Sequence, residues 1–244
     1  MSPLVAEFLG TAILILLGDG VVANVLLRHS KGQGGGWIVI TAGWAFAVTV
    51  GVYLANAASG AHLNPAVTLG LAAIGKFDGS LVPGYVLAQM LGAMAGATGV
   101  WLAYLPHWAP TEDVDAKRAV FCTAPAIRQP AANFLCEVIG TAVLVGGVLA
   151  IAAPHNLAPN SGWDRGFAPF LVGLLVWAIG LSLGGPTGYA INPARDLGPR
   201  LAHAILPIAG KGSNDWGYAW VPIAGPLLGG VIGAWVWKLA TGSP

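Results

Sequence analysis

The sequence contains the tripeptide Asn-Pro-Ala twice, once in each half of the chain. The copies are Asn64, Pro65 and Ala66 in the first half and Asn192, Pro193 and Ala194 in the second. An asparagine side chain is a favourable helix N-cap, and its amide can donate a hydrogen bond to a passing oxygen atom. Proline suits the first helical turn because the N–H that it lacks would have no partner there. Each tripeptide therefore predicts a helix start that presents a hydrogen-bond donor.

The segments that follow the two tripeptides are short. The first runs from Ala66 to about Gly75 and the second from Ala194 to about Ile205, whereas a helix needs about 20 apolar residues to cross the hydrocarbon core of a membrane. Both are therefore predicted to be half-helices. Broken helices at matching positions of two halves indicate a solute path at the bilayer midplane, with the positive helix N-termini facing it.

The composition is that of a membrane protein. Apolar residues make up 56% of the chain and charged residues 9%, against about 25% charged residues in a soluble domain. The net charge of +1 argues against a basic surface for nucleic acid. Long stretches without charge predict an all-α membrane protein with six spanning helices. These are predicted at Pro3–Leu27, Trp37–Ala55, Leu81–Tyr104, Ala131–Ala153, Phe167–Gly184 and Trp216–Leu239.

The two halves repeat one another beyond the tripeptides. Residues 7–12 (EFLGTA) align with residues 137–142 (EVIGTA), and the pair Gly92 and Gly96 aligns with Gly229 and Gly233. Because each half has three spans, an odd number, the second half must enter the membrane from the opposite side. We therefore expect a single transmembrane domain, residues 1–244, built from an inverted repeat. Its first unit covers about residues 1–105, a solvated connection about 106–130, and its second unit about 131–244.

In these stretches the chain resembles the aquaporin superfamily, and within it the glycerol facilitators or aquaglyceroporins. The resemblance rests on residues 59–68 (SGAHLNPAVT) and 188–196 (GYAINPARD), in the same register of the two halves. It implies an hourglass of six tilted helices and two re-entrant half-helices, with one pore in each protomer of a homotetramer. It also implies a multi-pass protein of the cell membrane with both termini in the cytoplasm, whereas the distribution of Lys and Arg among the loops favours the opposite orientation.

The resemblance places a selectivity filter at Trp44, Gly180, Tyr189 and Arg195. Water-selective relatives have histidine where this chain has Gly180 and phenylalanine where it has Trp44, so this filter looks like a wider one for glycerol. Trp44 and Tyr189 would face the carbon chain of a polyol, and Arg195 would donate hydrogen bonds to its hydroxyls. Several glycerol facilitators have phenylalanine in place of Tyr189, whose hydroxyl would add polarity or narrow the aperture. Asp196 resembles the glycerol-conducting subgroup, and its pairing with Arg195 is the alternative to a pore role for that arginine.

Irregular backbone is expected just before each tripeptide. It is tolerated at that depth only where it lines a cavity or is buried in protein, so we expect extended loops whose carbonyl groups face the pore. The loop residues are Gly60, Ala61 and His62 in the first half and Gly188, Tyr189 and Ala190 in the second. The resemblance implies that Glu7 and Glu137 hold these loops by hydrogen bonds, and proton coupling is the alternative role for the two glutamates.

Two further polar residues occur in or beside apolar segments. His62 is interpreted as a buried link to Glu137 or to the loop backbone, because no cysteine or acidic cluster has the spacing of metal ligands. Asp19 interrupts an apolar run, and we expect it at a helix end or in a vestibule.

The sequence therefore predicts passive conduction of glycerol and related small uncharged solutes, with water also passing. Two positive half-helix ends at the midplane would exclude protons and other ions. The expected partners are these solutes, membrane lipid and further copies of the chain, without nucleic acid, cofactor or metal. A water-selective channel and a secondary transporter of polyols are the alternatives, since such transporters share inverted repeats and broken helices. An enzyme is not expected, because no nucleophile or metal constellation has convincing spacing.

Overall fold

The computed structural model of the protein describes residues 1–159 and 161–242, apart from the side chains of residues 164 and 165. Within that part the chain is built from α-helices, with one 3₁₀ turn at Gly79–Leu81. The α-helices are α1 (Pro3–Leu26), α2 (Gly36–Ser59), α3 (Pro65–Ala73), α4 (Val82–Ala103), α5 (Leu105–Trp108), α6 (Val114–Phe121), α7 (Pro130–Ile151), α8 (Trp163–Gly166), α9 (Ala168–Leu183), α10 (Pro193–Ile205) and α11 (Val221–Thr241).

Five of these helices are long and apolar enough to cross a membrane: α1, α2, α4 with its leading 3₁₀ turn, α7 and α11. The sixth predicted span is α9, a shorter apolar helix of 16 residues. The prediction of an all-α membrane protein is confirmed. One predicted start was wrong, because residues Trp216–Trp220 form turns and α11 begins only at Val221, where Pro222 occupies the first helical turn.

Glycines let the last span of each half touch the first span of the same half. A Cβ atom at Gly92 of α4 would lie 2.3 Å from the carbonyl oxygen of Phe8, and one at Gly96 would lie 2.4 Å from that of Ala12. Any side chain at these positions would push α4 away from α1. The second half has equivalent contacts: a Cβ atom at Gly229 would lie 2.3 Å from the carbonyl oxygen of Val138, and one at Gly233 would lie 2.4 Å from that of Ala142.

Each half-helix packs against the last span of the opposite half, α3 on α11 and α10 on α4. A Cβ atom at Gly70 of α3 would lie 2.7 Å from the carbonyl oxygen of Gly230, and one at Gly198 of α10 would lie 2.5 Å from the Cβ of Ala93. These close crossings lock the two halves together. They also fix where the N-termini of the half-helices lie.

The segment between the halves, which the sequence predicts as a solvated connection, is exposed over part of its length and folded onto the protein over the rest. It contains α5 and α6, and the rings of Trp108 and Phe121 are buried and stacked with centroids 5.5 Å apart. Lys117 is also buried, and its ammonium group donates to the carbonyl oxygens of Ala209 and Gly210. The segment folds onto the protein because this buries aromatic surface. The ammonium group of Lys117 can be buried as well, because backbone carbonyl oxygens replace the hydrogen bonds that it would form with water.

Candidate pore and selectivity filter

The two asparagines of the tripeptides are each joined to the opposite half of the protein. The amide nitrogen of Asn64 donates to the carbonyl oxygen of Ile191 at 2.8 Å, and that of Asn192 donates to the carbonyl oxygen of Leu63 at 2.9 Å. Each carbonyl belongs to the residue immediately before the other asparagine. This exchange ties the starts of the two half-helices together.

Each asparagine also caps its own half-helix. Asn64 Oδ1 accepts the N–H of Ala66 at 2.8 Å, and Asn192 Oδ1 accepts those of Ala194 and Arg195 at 3.0 and 3.3 Å. A primary amide has two N–H groups, and the exchange between the halves uses one of them. Among the described residues, no group accepts from the second N–H of either asparagine, so both asparagines keep a donor for the cavity that they line.

The loops before the asparagines pass through left-handed backbone conformations. The residues and their φ angles are Gly60 (80°), Ala61 (49°) and Leu63 (51°) in the first half and Gly188 (81°), Tyr189 (39°) and Ile191 (42°) in the second. The prediction of extended loops was therefore wrong, because an extended strand would point successive carbonyls to opposite sides and these residues break that alternation. A non-glycine residue in such a conformation costs about 1–3 kcal/mol, so other contacts must hold the loops.

Glu7 of α1 provides those contacts for the first loop. Its Oε1 atom accepts the N–H of His62 at 2.9 Å and the hydroxyl of Ser59 at 2.6 Å. Its Oε2 atom accepts the N–H of Leu63 at 2.7 Å and the side-chain amide of Gln89 at 2.8 Å. Four donors thus converge on one fully buried carboxylate.

Glu137 of α7 does the same for the second loop. Its Oε1 atom accepts the hydroxyl of Thr187 at 2.7 Å and the N–H of Ala190 at 3.0 Å, and its Oε2 atom accepts the N–H of Ile191 at 2.8 Å. In both halves the glutamate binds the two N–H groups that precede the asparagine. The repeat seen in the sequence is therefore repeated in hydrogen bonds.

His62 does not contact Glu137, which was one of the two partners predicted for it, the other being the loop backbone. Its backbone N–H binds Glu7, and its Nδ1 atom lies 3.1 Å from the hydroxyl oxygen of Thr68. Its ring packs against Phe77 and Tyr85, with centroids 4.7 and 5.1 Å away. The prediction of Glu137 as the partner was wrong because His62 lies in the loop that binds Glu7 of α1, whereas Glu137 binds the loop of the second half.

Both loops border a cavity of about 610 Å³. It is lined by the loop residues predicted from the sequence except Gly188, by both asparagines, and by Trp44, Tyr189 and Arg195 of the predicted filter. The loop carbonyls accept no hydrogen bond from any residue in the described part of the chain, so they are available to a solute. The carbonyls of this kind that belong to cavity-lining residues are those of Gly60, Ala61, His62, Tyr189 and Ala190.

Arg195 is held at the cavity wall by three different contacts. Its guanidinium lies over the ring of Trp44, 4.1 Å from the centroid, and its Nη1 atom donates to the carbonyl oxygen of Phe121 at 3.2 Å. The same nitrogen lies 3.5 Å from Oδ1 of Asp19. Asp19 was expected at a helix end or in a vestibule, and this was wrong: it lies within α1, fully buried, because Arg195 supplies an opposite charge there.

Gly180 of the predicted filter packs against Tyr189 and does not itself line the cavity. A Cβ atom at Gly180 would lie 2.8 Å from Cζ of Tyr189 and 3.0 Å from Cγ2 of Thr41. The missing side chain thus lets the tyrosine ring lie against α9. The rings of Tyr189 and Trp37 of α2 form a T-shaped pair with centroids 5.8 Å apart. The tyrosine hydroxyl is buried, with no hydrogen-bond partner among the described residues.

Asp196 binds Arg200, so the pairing of Arg195 with Asp196 considered from the sequence is wrong. Arg200 donates to both carboxylate oxygens of Asp196, at 2.7 and 3.0 Å, and to the carbonyl oxygen of Thr123 at 3.0 Å. Asp196 also accepts the N–H and hydroxyl of Thr123 at 2.8 Å each. The pair therefore fastens the connecting segment beside the filter.

Sequence reasoning missed three residues of this site: Thr123, Arg200 and Gly18. The spacing of Asp196 and Arg200, four residues apart on a helix, was a usable signal for a salt bridge. Gly18 gave no such signal, although a Cβ atom there would lie only 2.2 Å from the ring of Trp44. Its role depends on which ring α2 places against it.

Arg200→Lys is expected to destabilise the protein although it keeps the positive charge. Arg200 spreads five hydrogen bonds over Asp196, Thr123, Asn214 and Asp215, and a lysine ammonium cannot reproduce this planar fork. We expect a loss of at least about 2 kcal/mol, since each lost bond to a charged group contributes about 1.5–3 kcal/mol. The thermal unfolding temperature in detergent would be measured by tryptophan fluorescence.

The matched control for this substitution is Arg128→Lys. Arg128 also forms an ion pair with an aspartate, Asp215, but its side chain is 52% exposed, and such surface pairs contribute about 0–1 kcal/mol. An unfolding temperature of Arg200→Lys equal to that of Arg128→Lys would contradict the assigned anchoring role.

Two observations bear on metal binding and on cysteine reactivity in the described part of the chain. No cluster of three or more His, Cys, Asp or Glu residues could hold a metal ion there. Burial raises the pKa of the Cys122 thiol to about 12, so this cysteine stays protonated and weakly nucleophilic at neutral pH.

Two half-helices whose capped N-termini meet at a solute-sized cavity, inside an all-helical membrane protein, define a channel of the hourglass class. The chain belongs to the major intrinsic protein family, because the model of the family described as "Major intrinsic protein" matches residues 1–237. The prediction of the aquaporin superfamily is therefore confirmed.

Individual relatives agree with this assignment. The chain is 64% identical over 234 residues to the "Probable glycerol uptake facilitator protein" of Thermotoga maritima, covering 96% of this chain and 97% of that protein. It is 58% identical to "Glycerol uptake facilitator protein 3" of Lactiplantibacillus plantarum, covering 95% and 93%. The X-ray structure of the aquaglyceroporin from Plasmodium falciparum superposes with a TM-score of 0.84 at 33% identity, covering 96% of this chain and 94% of that one. The predicted hourglass fold is confirmed by this similarity.

Proposed function

We propose that the protein is a passive channel for glycerol and related small uncharged solutes. The observation that carries the proposal is the lack of a side chain at Gly180, where a Cβ atom would lie only 2.8 Å from Cζ of Tyr189. In the proposal, this space lets the tyrosine ring sit back from the constriction. The relatives whose names include glycerol uptake facilitator support the same solute.

The filter suits a molecule with one apolar and one polar side. Trp44 and Tyr189 present ring surface for the C–H groups of a polyol, and the guanidinium of Arg195 offers fixed donors for its hydroxyls. Beyond the filter, unpartnered loop carbonyls accept from the hydroxyls, and the free amide hydrogens of Asn64 and Asn192 donate to them. A solute thus exchanges its water partners for protein partners along the whole path.

Water passes through the same pore, whereas protons and other ions are excluded. The N-termini of α3 and α10 bring two positive helix ends to the paired asparagines, which raises the energy of a cation and of a proton-conducting chain of water molecules there. Glu7 and Glu137 already accept hydrogen bonds from the loops, which favours a supporting role over proton coupling. No catalytic activity is proposed.

The functional unit is a homotetramer in the cell membrane, with a pore in each single-domain protomer and both termini in the cytoplasm. Its inverted repeats are residues 1–105 and 131–244. Large apolar side chains exposed on the spanning helices face lipid or neighbouring protomers.

A cationic residue of a loop on the proposed outer side is hydrogen-bonded within the fold. The ammonium group of Lys211 donates to the carbonyl oxygens of His203, Ala204 and Leu206, at the negative C-terminal end of α10.

Stopped-flow light scattering of liposomes containing the purified protein tests the proposal. After mixing with hyperosmotic glycerol, the vesicles are expected to shrink quickly and then re-swell faster than protein-free liposomes. An ionophore that dissipates proton and sodium gradients should leave the re-swelling rate unchanged, whereas a coupled transporter would respond. Fast shrinkage without protein-dependent re-swelling would contradict the proposal and identify a water-selective channel.

A further inference from the structure

Asp19 is a buried acid directly behind the filter arginine. It has no exposed surface, and neither of its carboxylate oxygens has a hydrogen-bond partner among the described residues. Its Oδ1 atom lies 3.5 Å from Nη1 of Arg195. Arg195 lines the cavity and Asp19 does not. The carboxylate therefore acts on the pore through the guanidinium of Arg195 and not by touching a solute.

Two of the three contacts that hold Arg195 do not involve Asp19. The guanidinium is stacked on Trp44 and bonded to the carbonyl oxygen of Phe121, and Trp44 is itself seated against Gly18. What Asp19 adds is charge. A carboxylate without hydrogen-bond donors of its own is costly to bury, and its attraction to Arg195 is the interaction that offsets this cost.

The buried charges beside the filter form two acid–arginine pairs. Asp196 and Arg200 are joined by two short hydrogen bonds, so that pair has no net charge. An ionised Asp19 carboxylate, whose Oδ1 atom lies 3.5 Å from Nη1 of Arg195, would likewise cancel the charge of that arginine. If Asp19 were neutral, the constriction would carry one uncompensated positive charge, and such a charge acts strongly across a narrow pore with low-dielectric walls.

We propose that Asp19 is a specificity-determining residue: it is the counter-ion that lets Arg195 donate hydrogen bonds to neutral hydroxyls without attracting small anions into the filter. The proposal rests on the proposed channel function. Asp19 removes the net charge of the filter while leaving the arginine donors in place.

The test compares the entry of nitrate and glycerol into liposomes containing wild type, Asp19→Asn, Asp19→Glu or Glu112→Gln. Vesicles are placed in isosmotic potassium nitrate with valinomycin, which carries potassium, so that nitrate entry limits swelling. Nitrate stays ionised, so no neutral form crosses the lipid. Swelling in isosmotic glycerol is measured on the same vesicles, and the ratio of the two rates is the readout.

We expect the nitrate-to-glycerol ratio of Asp19→Asn to rise roughly tenfold, since one uncompensated charge acts at close range. Asp19→Glu keeps the charge and should keep the wild-type ratio. Glu112→Gln removes the same charge from a side chain that is 89% exposed, and it should also leave the ratio unchanged. A purely structural role of Asp19 would not change the ratio.

A wild-type ratio in Asp19→Asn would overturn the proposal. Asp19→Val is the second neutral variant, because it removes the charge together with both carboxylate oxygens, which have no hydrogen-bond partner among the described residues. If neither neutral variant assembles while Asp19→Glu does, the charge serves folding and the specificity role is overturned. Absence of glycerol flux in the wild type would overturn the proposed channel function instead. The role of Asp19 would then be decided by the ratio of nitrate entry to osmotic water flow, compared between Asp19→Asn and the wild type.

Discussion

Gly180→His is expected to reduce glycerol flux roughly tenfold or more while water flow persists. A Cβ atom at this position would already lie 2.8 Å from Tyr189 and 3.0 Å from Thr41, so an imidazole must displace the tyrosine ring toward Trp44 and Arg195. One extra methylene in a fitted pocket changes the discrimination between two substrates by about 10–200-fold, and an imidazole is larger than a methylene. Water is smaller than glycerol, so the water flow is expected to persist. Stopped-flow light scattering with a glycerol gradient and with an impermeant osmolyte measures both rates.

Gly185→His is the matched control for this substitution. Gly185 lies only five residues further along the chain and is exposed, with no atom within 4 Å of a Cβ built on it. The glycerol flux of Gly185→His should therefore remain close to that of the wild type. Gly180→Ala adds only the Cβ and should give an intermediate rate. Equal glycerol fluxes in Gly180→His and the wild type would show that this contact does not set the width of the filter.

Glu137→Gln is expected to abolish conduction of both glycerol and water and to lower the unfolding temperature. The carboxylate accepts three hydrogen bonds, from Thr187, Ala190 and Ile191, whereas a glutamine amide would turn an N–H₂ group toward one of these donors. Each lost bond to a charged group costs about 1.5–3 kcal/mol. The left-handed conformations of Tyr189 and Ile191 would then lose the contacts that hold them.

Glu7→Gln in the first half tests whether this support is a property of the repeat. Its carboxylate accepts four donors at equivalent loop positions, so the loss of flux should be at least as large. Glu112→Gln, at an exposed site, serves as the control and should change neither flux nor unfolding temperature. Full conduction by both buried variants would show that the loops keep their shape without the carboxylates, and would leave proton coupling as the role to test.

The features that depend on local chemistry could be predicted from the sequence. Asn64 and Asn192 are followed by proline, so each marks a helix start wherever the chain goes. The lengths of the apolar runs distinguish spans from half-helices. The equivalence of Glu7 and Glu137 follows from the repeat alone, and both carboxylates bind the loops before the tripeptides.

The partners of these residues were decided by the tertiary structure. Asp19 meets Arg195, and Asp196 meets Thr123, across distances along the chain that no local pattern encodes. Gly180 meets the ring of Tyr189 only because α9 brings the two together. The sequence alone determined a membrane channel with two broken helices, because helix starts and span lengths depend on neighbouring residues and the repeat can be read by comparing two stretches of the chain. The contacts of the predicted filter residues depend on which helices pack together, and only the folded chain determines that.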